Sequence, residues 1–266
     1  MTARHRTAWT FAITSAALFM ASLDNLVVTT ALPSIREQLH ASLEGLQWTV
    51  NAYTLTFAVL LLTGATLGER YGRRRLFTIG LGLFTAGSAA AAMAPGIGAL
   101  VAARAVQGVG AAIVIPLTLT LLSAAVSPRR RGLALGAWGA VGGLAIAIGP
   151  LVGGAVVEGA SWQWIFWLNV PIGIALLPVA RLRLTESRGP STSLDLPGLV
   201  LASVGLLGIV LGVVRGNDHG WTSLTVLPPL VIGALLVAAF IGWELRAREP
   251  MLPMHLFRSR GFAVTN

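Results

Sequence analysis

Residues 9–31, WTFAITSAALFMASLDNLVVTTA, form an apolar stretch of 23 residues that carries a single charged side chain, Asp24. A helix of this length covers the roughly 30 Å of hydrocarbon in a bilayer. The basic residues before the stretch and the small residues within it are also typical of a secretory signal peptide. The apolar character continues past any such cleavage site, so the stretch is interpreted as an uncleaved first membrane span.

The composition of the whole chain also indicates an integral membrane protein. Hydrophobic residues make up 55% of the chain, charged residues only 11%, and the mean hydropathy is +0.77. Ordinary soluble domains contain about 25% charged residues. The net charge of +9 does not indicate nucleic acid binding, because the arginines are divided among the gaps between apolar stretches. The lack of cysteine in the sequence excludes disulfides and thiolate metal sites.

Apolar runs of membrane-spanning length recur along the sequence. Eight spans are predicted, at residues 9–31, 47–68, 76–94, 97–123, 132–157, 163–181, 196–214 and 226–243. Several contain closely spaced glycines, which allow membrane helices to pack backbone to backbone. The predicted fold class is therefore an all-α integral membrane protein in which short loops join antiparallel neighbours.

The distribution of arginine predicts the orientation in the membrane. If the N-terminus is cytoplasmic, the cytoplasmic segments contain Arg4, Arg6, Arg70, Arg73, Arg74, Arg75, Arg129, Arg130, Arg131, Arg181, Arg183, Arg188, Arg246, Arg248, Arg258 and Arg260. The opposite side receives only Arg36 and Arg215, and Arg104 lies inside the fourth span. Basic residues accumulate in cytoplasmic loops, so we expect a cytoplasmic N-terminus.

Four segments are predicted from the span pattern. Residues 1–181 form a bundle of six spans, and residues 182–195 form a polar cytoplasmic connector that contains Pro, Gly and Ser. Residues 196–245 form a further pair of spans, and residues 246–266 form a cytoplasmic loop and the start of a ninth span. Because the last apolar run is so short, we expect a chain that is truncated before another bundle.

Two ionisable residues lie within spans, where a charge is costly and usually faces a cavity or a partner. Asp24 lies in the first span and Arg104 in the fourth. Gln107 follows Arg104 by one helical turn and lies on the same face. These three residues are the candidates for substrate binding and proton coupling. The structural alternative is that Arg104 and Gln107 only bond a neighbouring helix, while Asp24 reaches water near the outer boundary.

The loop between the second and third spans contains a charged cluster, LGERYGRRR at residues 67–75. The simplest interpretation is a basic loop that fixes topology. One acid among several arginines also allows ion pairs to exchange between two packings, with glycines flanking a tight turn. The predicted cytoplasmic gate consists of Gly68, Glu69, Arg70, Gly72, Arg73 and Arg74.

The fifth span combines a proline with closely spaced glycines. Pro150 removes one backbone hydrogen bond, and Gly149, Gly153 and Gly154 leave the helix surface bare. We expect another helix to pack closely against these residues. If the packing has a function, we expect it to seal the protein against leakage.

Five motifs occur in an order that resembles the major facilitator superfamily, and within it the fourteen-span drug/proton antiporters of the EmrB/QacA type. They are LDNLVVTTALP at 23–33, LGERYGRRR at 67–75, RAVQGVGAA at 104–112, the span-five antiporter motif at Gly136, Gly149, Pro150, Gly153 and Gly154, and WQWIFWLNVPIG at 162–173. Glu69 stands where that family usually has aspartate, and Ala145 replaces one glycine of the antiporter motif.

The resemblance implies a six-helix bundle built of two three-helix repeats, followed by the inserted pair of spans. It also implies proton-driven efflux of small lipophilic or cationic molecules by alternating access, a multi-pass location in the bacterial inner membrane, and no cofactor, metal or nucleic acid. Asp24 with Arg104 and Gln107 would couple protons and substrate, the gate cluster would close the cytoplasmic side, and the span-five motif would line the contact between bundles.

Other functions remain open at the level of sequence. The chain could be a truncated product that does not transport, or a half-transporter that needs a separate C-terminal partner chain. A homodimer of six-span bundles is a further possibility, although the seventh and eighth spans have no evident purpose there. An enzyme is not expected, because Glu69 has no paired acid, the four histidines are scattered and no nucleotide-binding loop occurs.

Overall fold

The computed structural model describes residues 3–189 and 195–246, and the secondary structure in these ranges is helical. The helices are α1 (Ala3–Leu39), α2 (Leu43–Tyr71), α3 (Arg73–Ala92), α4 (Ile97–Ala125), α5 (Arg131–Gly159), α6 (Trp164–Trp167), α7 (Asn169–Arg183), α8 (Leu196–His219) and α9 (Leu227–Glu244). A 3₁₀ turn, Pro128–Arg130, precedes α5. The ninth span that was expected near residue 261 lies outside the described residues.

All eight predicted spans are confirmed as helices long and apolar enough to cross a membrane. The first span is longer than its apolar core indicates, since α1 continues through the polar residues up to Leu39. Asp24 consequently lies near the middle of the helix instead of near one end. The sixth span consists of two helices, α6 and α7, which meet at Leu168.

Contacts divide the chain after Gly189 into two compact units. In the first unit, α4 packs against α1, α2 and α3, while α1 also packs against α5. Two hydrophobic clusters form its core: one includes Phe77 and Leu117, and the other includes Val27 and Leu100. On α4, the buried residues Arg104 and Gln107 form a short polar layer between the residues of the two clusters, and Asp24 on α1 lies after Ala21 of the first cluster and before Val27 of the second. The polar layer is therefore enclosed by apolar side chains on both sides.

The second unit is built around α8 and α9, which approach closely at glycines. A Cβ atom added at Gly233 would lie 2.6 Å from the backbone nitrogen of Ile209, so only glycine allows this packing. Asp195 caps α8, because its carboxylate accepts a hydrogen bond from the Gly198 amide at 3.0 Å. The same carboxylate accepts a hydrogen bond from the Trp243 indole of α9, which ties the start of α8 to the end of α9.

Candidate functional site

Asp24 lies at the centre of a buried polar network in the first unit. Its side chain is only 2% exposed and accepts three hydrogen bonds from three different residues. Arg104 Nη1 donates to Oδ2 at 2.5 Å, Gln107 Nε2 donates to Oδ1 at 3.0 Å, and Asn169 Nδ2 donates to Oδ1 at 2.6 Å. The alternative in which Asp24 reaches water near the outer boundary is therefore wrong, since α1 extends past it and neighbouring helices cover it.

Arg104 is fully buried, and its guanidinium touches residues from three other helices. Besides Asp24, it donates through Nε to the Thr49 carbonyl at 3.2 Å and through Nη1 to Gln107 Oε1 at 3.0 Å. The guanidinium carbon lies 4.3 Å from the Tyr53 ring centroid and 5.9 Å from that of Phe166. Such cation–π contacts stabilise a cation more strongly when water is excluded. Arg104 is thus paired on several sides, as a charge at this depth requires.

Two further polar residues complete the network, and the sequence analysis did not single out either one. Ser88 on α3 lies 2.6 Å from Gln107 Nε2, and Asn169 forms the first residue of α7. Both side chains are almost fully buried. Asn169 stood within a quoted motif, and its carboxamide inside an apolar span was the one signal that could have identified it. The network therefore joins α1, α3, α4 and α7 at one level of the bundle.

The loop between α2 and α3 contains a tight ion pair, as the charge pattern indicated. Arg73 binds the Glu69 carboxylate with two hydrogen bonds, at 2.8 Å through Nε and 2.6 Å through Nη2. The predicted turn needs correction, because α2 continues through Glu69 and Arg70 to Tyr71. Only Gly72 makes the turn, with a φ of 108° that favours glycine.

The other members of the predicted gate have different surroundings. Gly68 lies inside α2, where an added Cβ would collide with the Leu117 side chain of α4. Arg70 lies over the Tyr71 ring at 5.3 Å. Arg74 pairs with Glu186 and not with Glu69, at 3.6 Å from Nε to Oε2. The cluster thus contains two acids, of which the sequence pattern showed only the first.

Glu186 belongs to residues 184–189, a segment that follows α7 and that we call the strap. Its carboxylate accepts hydrogen bonds from the backbone amides of Arg74 and Arg75, at 3.0 and 3.2 Å. These amides lie in the first turn of α3, where backbone donors lack helical partners and favour a negative charge. The Arg73 amide donates to the Ser187 carbonyl, and the Gly189 amide donates to the Glu69 carbonyl, both at 2.9 Å. The strap therefore fastens the end of α7 to the turn between α2 and α3.

The span-five motif residues divide between two surfaces of α5. Added Cβ atoms at Gly149 and Gly153 would collide with Leu26 and Thr30 of α1, so α1 already occupies that side. Gly136 and Gly154 have open space beside them, and Pro150 is exposed. The expected close packing is present at Gly149 and Gly153, where α1 approaches α5, while Gly136 and Gly154 remain uncovered.

Eight helices of membrane-spanning length, with a buried ion pair in the first unit, are the architecture of a multi-pass membrane protein. The sequence profile of the Major Facilitator Superfamily matches residues 14–263, which is nearly the whole chain. The chain belongs to the major facilitator superfamily. This is a family of transporters and not of enzymes.

Several characterised relatives are resistance or export proteins of actinomycetes. The chain is 43% identical over 256 residues to the cephamycin export protein of Amycolatopsis lactamdurans, covering 93% of this chain and 52% of that protein. It is 37% identical over 244 residues to the tetracenomycin C resistance and export protein of Streptomyces glaucescens, covering 91% of this chain and 45% of that protein. The chain thus spans about half the length of the curated relatives it matches.

Solved structures show the same fold. A peptide transporter POT crystallised with sulfate gives a TM-score of 0.65 at 15% identity, over 93% of this chain and 57% of that one. The human organic anion transporter MFSD10 gives a TM-score of 0.59 at 17% identity, over 79% of this chain and 56% of that one. These similarities establish the helical arrangement alone.

Proposed function

We propose that the protein acts in proton-driven export of lipophilic or cationic small molecules by alternating access. The buried Asp24–Arg104 pair carries this proposal, because an ionisable pair inside a membrane bundle is the expected form of a proton relay. The export and resistance relatives support export of a small molecule.

Asp24 is the proposed proton site. Its carboxylate is 2% exposed and already contacts three donors, so a substrate cation has no direct access to it in this conformation. Protonation removes the negative charge that holds the Arg104 guanidinium. A change in protonation state thereby changes the energy of the packing around Arg104, which is the differential energy that an alternating equilibrium requires.

The remaining candidate residues have mechanical roles in this proposal. The Glu69–Arg73 and Glu186–Arg74 pairs hold the gate between α2 and α3 in its present packing. The open side of α5 around Gly136 and Gly154 provides a surface for a second bundle. A cavity between two bundles needs that second bundle, either in the same polypeptide or in a separate partner chain.

The proposed location is the bacterial cell membrane with a cytoplasmic N-terminus. The arginine distribution favours this orientation. The gate then lies on the cytoplasmic side, where it would control the entry of molecules to be exported.

Replacement of Asp24 by Asn tests the proton site. The carboxamide introduced there retains an oxygen that can accept from Arg104 but cannot exchange a proton in the working range. With the protein expressed from its complete reading frame in everted vesicles, we expect ethidium-driven proton release to fall by about tenfold or more, a range typical of lost proton-transfer groups. Glu158→Gln, at an exposed acid near the end of α5, is the matched control and should leave the release unchanged. Unchanged proton release in the Asp24 variant would remove the assignment.

A further inference from the structure

Asn169 has the fewest attachments among the residues that hold Asp24. Gln107 is fixed by contacts to Asp24, Ser88 and Arg104, and Arg104 is fixed by Thr49 and two aromatic rings as well. The Asn169 carboxamide has one hydrogen bond within the described part of the chain, from Nδ2 to Asp24 Oδ1 at 2.6 Å.

Protonation of Asp24 on Oδ1 places a hydrogen where two amide groups now donate. An ionised carboxylate oxygen accepts both donors, but a carboxylic O–H group has itself become a donor. One of the two amide donors must then turn away. Asn169 is the one that moves, because Gln107 is held by its other two partners.

Asn169 lies near the start of the sixth span. It is the first residue of α7, directly after Leu168, whose backbone keeps helical dihedral angles (φ −56°, ψ −35°). From Asn169 to Arg183 the chain is one helix of 15 residues, about 22 Å long at 1.5 Å per residue. The strap begins immediately after it, at Leu184. The same helix therefore touches the proposed proton site at one end and leads into the gate at the other.

Close packing restricts the movements available to α7. An added Cβ at Gly173 would collide with Thr85 of α3, so the two helices are in direct contact along this stretch. The strap binds the first turn of the same α3 through Glu186. A displacement of α7 at Asn169 would therefore press on α3, the helix whose first turn Glu186 binds.

We infer that Asn169 is a positioning residue that senses the protonation state of Asp24 and, through α7, controls the docking of the strap on the gate. This inference rests on the proposed proton site and adds the physical link between that site and the cytoplasmic side. When Asp24 is ionised, Asn169 is bound and the strap is docked. When Asp24 is protonated, Asn169 is released and the strap undocks.

The sequence offers a direct test because it contains no cysteine. The Ser187 hydroxyl is buried and has no hydrogen-bond partner among the described residues, so Ser187→Cys places a thiol that is covered while the strap is docked. Its rate of maleimide labelling in everted vesicles is measured across the pH range, relative to a second single-cysteine protein, Arg129→Cys, at an exposed position. That ratio corrects for the general fall in thiol reactivity at low pH, and the Asp24→Asn variant of the reporter shows any pH dependence that belongs to the thiol at position 187.

The charged and titratable groups around both ends of α7 define the controls. Asp24 is faced by Arg104 and Tyr53. The strap region contains Glu69 with Arg73, Glu186 with Arg74, and the permanently charged Arg6 and Arg181. Asp24→Asn distinguishes titration at Asp24 from titration at the strap, because it leaves Glu69 and Glu186 unchanged. Ile174→Ala, at a 60% exposed position on α7, controls for a general loosening of the helix.

We expect the relative labelling rate at position 187 to rise by about fivefold or more on acidification, which is the lower range of coupling between protein sites. Asp24→Asn and Asn169→Ala should each abolish the pH dependence, and Ile174→Ala should retain it. If Asn169→Ala inserts poorly, Asn169→Ser serves as a second variant and should flatten the profile too, since its hydroxyl cannot reach as far.

Three outcomes would overturn the inference. If the Ser187→Cys protein without further substitutions is labelled at a relative rate that does not depend on pH, the strap is not coupled to a proton site. A response that persists in Asn169→Ala but not in Asp24→Asn shows that another residue forms the link. A response that persists in Asp24→Asn shows that the gate carboxylates titrate on their own. Labelling does not require transport, so normal proton release by Asp24→Asn vesicles would disprove the assignment of Asp24 as the transport proton site without deciding this result.

Discussion

At the scale of single residues, the ion pair between Asp24 and Arg104 is stabilised unequally by its surroundings. Without Asp24, the guanidinium still has the Thr49 carbonyl, Gln107 Oε1 and two aromatic rings. Without Arg104, the carboxylate has only two neutral amide donors and no positive charge within the described network. Breaking a buried pair is costly mainly because it leaves one charge uncompensated, so the two single substitutions should differ.

Arg104→Gln should therefore destabilise the protein more than Asp24→Asn. We expect a loss of about 3–5 kcal/mol for Arg104→Gln, the usual result of breaking a buried ion pair from one side. The double variant Asp24→Asn/Arg104→Gln should recover most of that loss, because no unpaired charge remains. Thermal unfolding in detergent measures all three. If the two single losses simply add in the double variant, the charges do not interact as the geometry indicates.

At the scale of helices, glycine decides how closely α4 approaches its neighbours. An added Cβ at Gly110 would lie 2.6 Å from the Phe84 amide nitrogen and 2.8 Å from the Gly80 carbonyl oxygen, both on α3. These are backbone atoms, so no rotamer change can relieve the overlap. At Gly98 on the same helix, an added Cβ meets nothing within 4 Å. The same substitution thus has opposite consequences at two positions of α4.

Gly110→Ala should force α3 and α4 apart and lower stability by about 1–3 kcal/mol, the usual cost of overpacking. Gly98→Ala is the matched control, and its effect should be neutral or slightly stabilising because alanine favours helix more than glycine does. The melting temperatures of the two variants in detergent provide the comparison. Equal melting temperatures would contradict the close approach of α3 and α4.

The helices themselves could be predicted because span formation depends on local hydropathy. Each predicted span has become a helix, and the errors lie at the ends, as at Leu39 and Tyr71, where polar residues continue the helix. Asp24 and Arg104 could be singled out because a charge within a span stands out from its neighbours. Glu186 could not be identified in this way, because acids are common in polar connectors. Its role depends on its contact with the first turn of α3, which only the folded structure shows.

At the scale of the whole molecule, the basic residues should fix the orientation of the bundle. Arg129 and Arg130 lie just before α5, Arg131 is its first residue, and Arg73, Arg74 and Arg75 lie at the start of α3. Short loops that contain several arginines remain on the cytoplasmic side of the membrane during insertion. The turn between α1 and α2 contains none after Arg36, so we expect this turn to lie on the other side of the membrane.

Single cysteines at exposed positions near the two kinds of turn test this orientation in intact cells. Glu44→Cys lies at the start of α2, and Arg129→Cys lies before α5. A membrane-impermeant maleimide should label the first in intact cells and the second only after permeabilisation, while the parent protein, with any cysteine outside residues 1–266 replaced, stays unlabelled. The single arginine lost in the second variant leaves Arg130 and Arg131 in the same turn, so the orientation itself should not change. The reverse labelling pattern would place the gate and the strap on the outer surface, and export with a cytoplasmic gate would then be excluded.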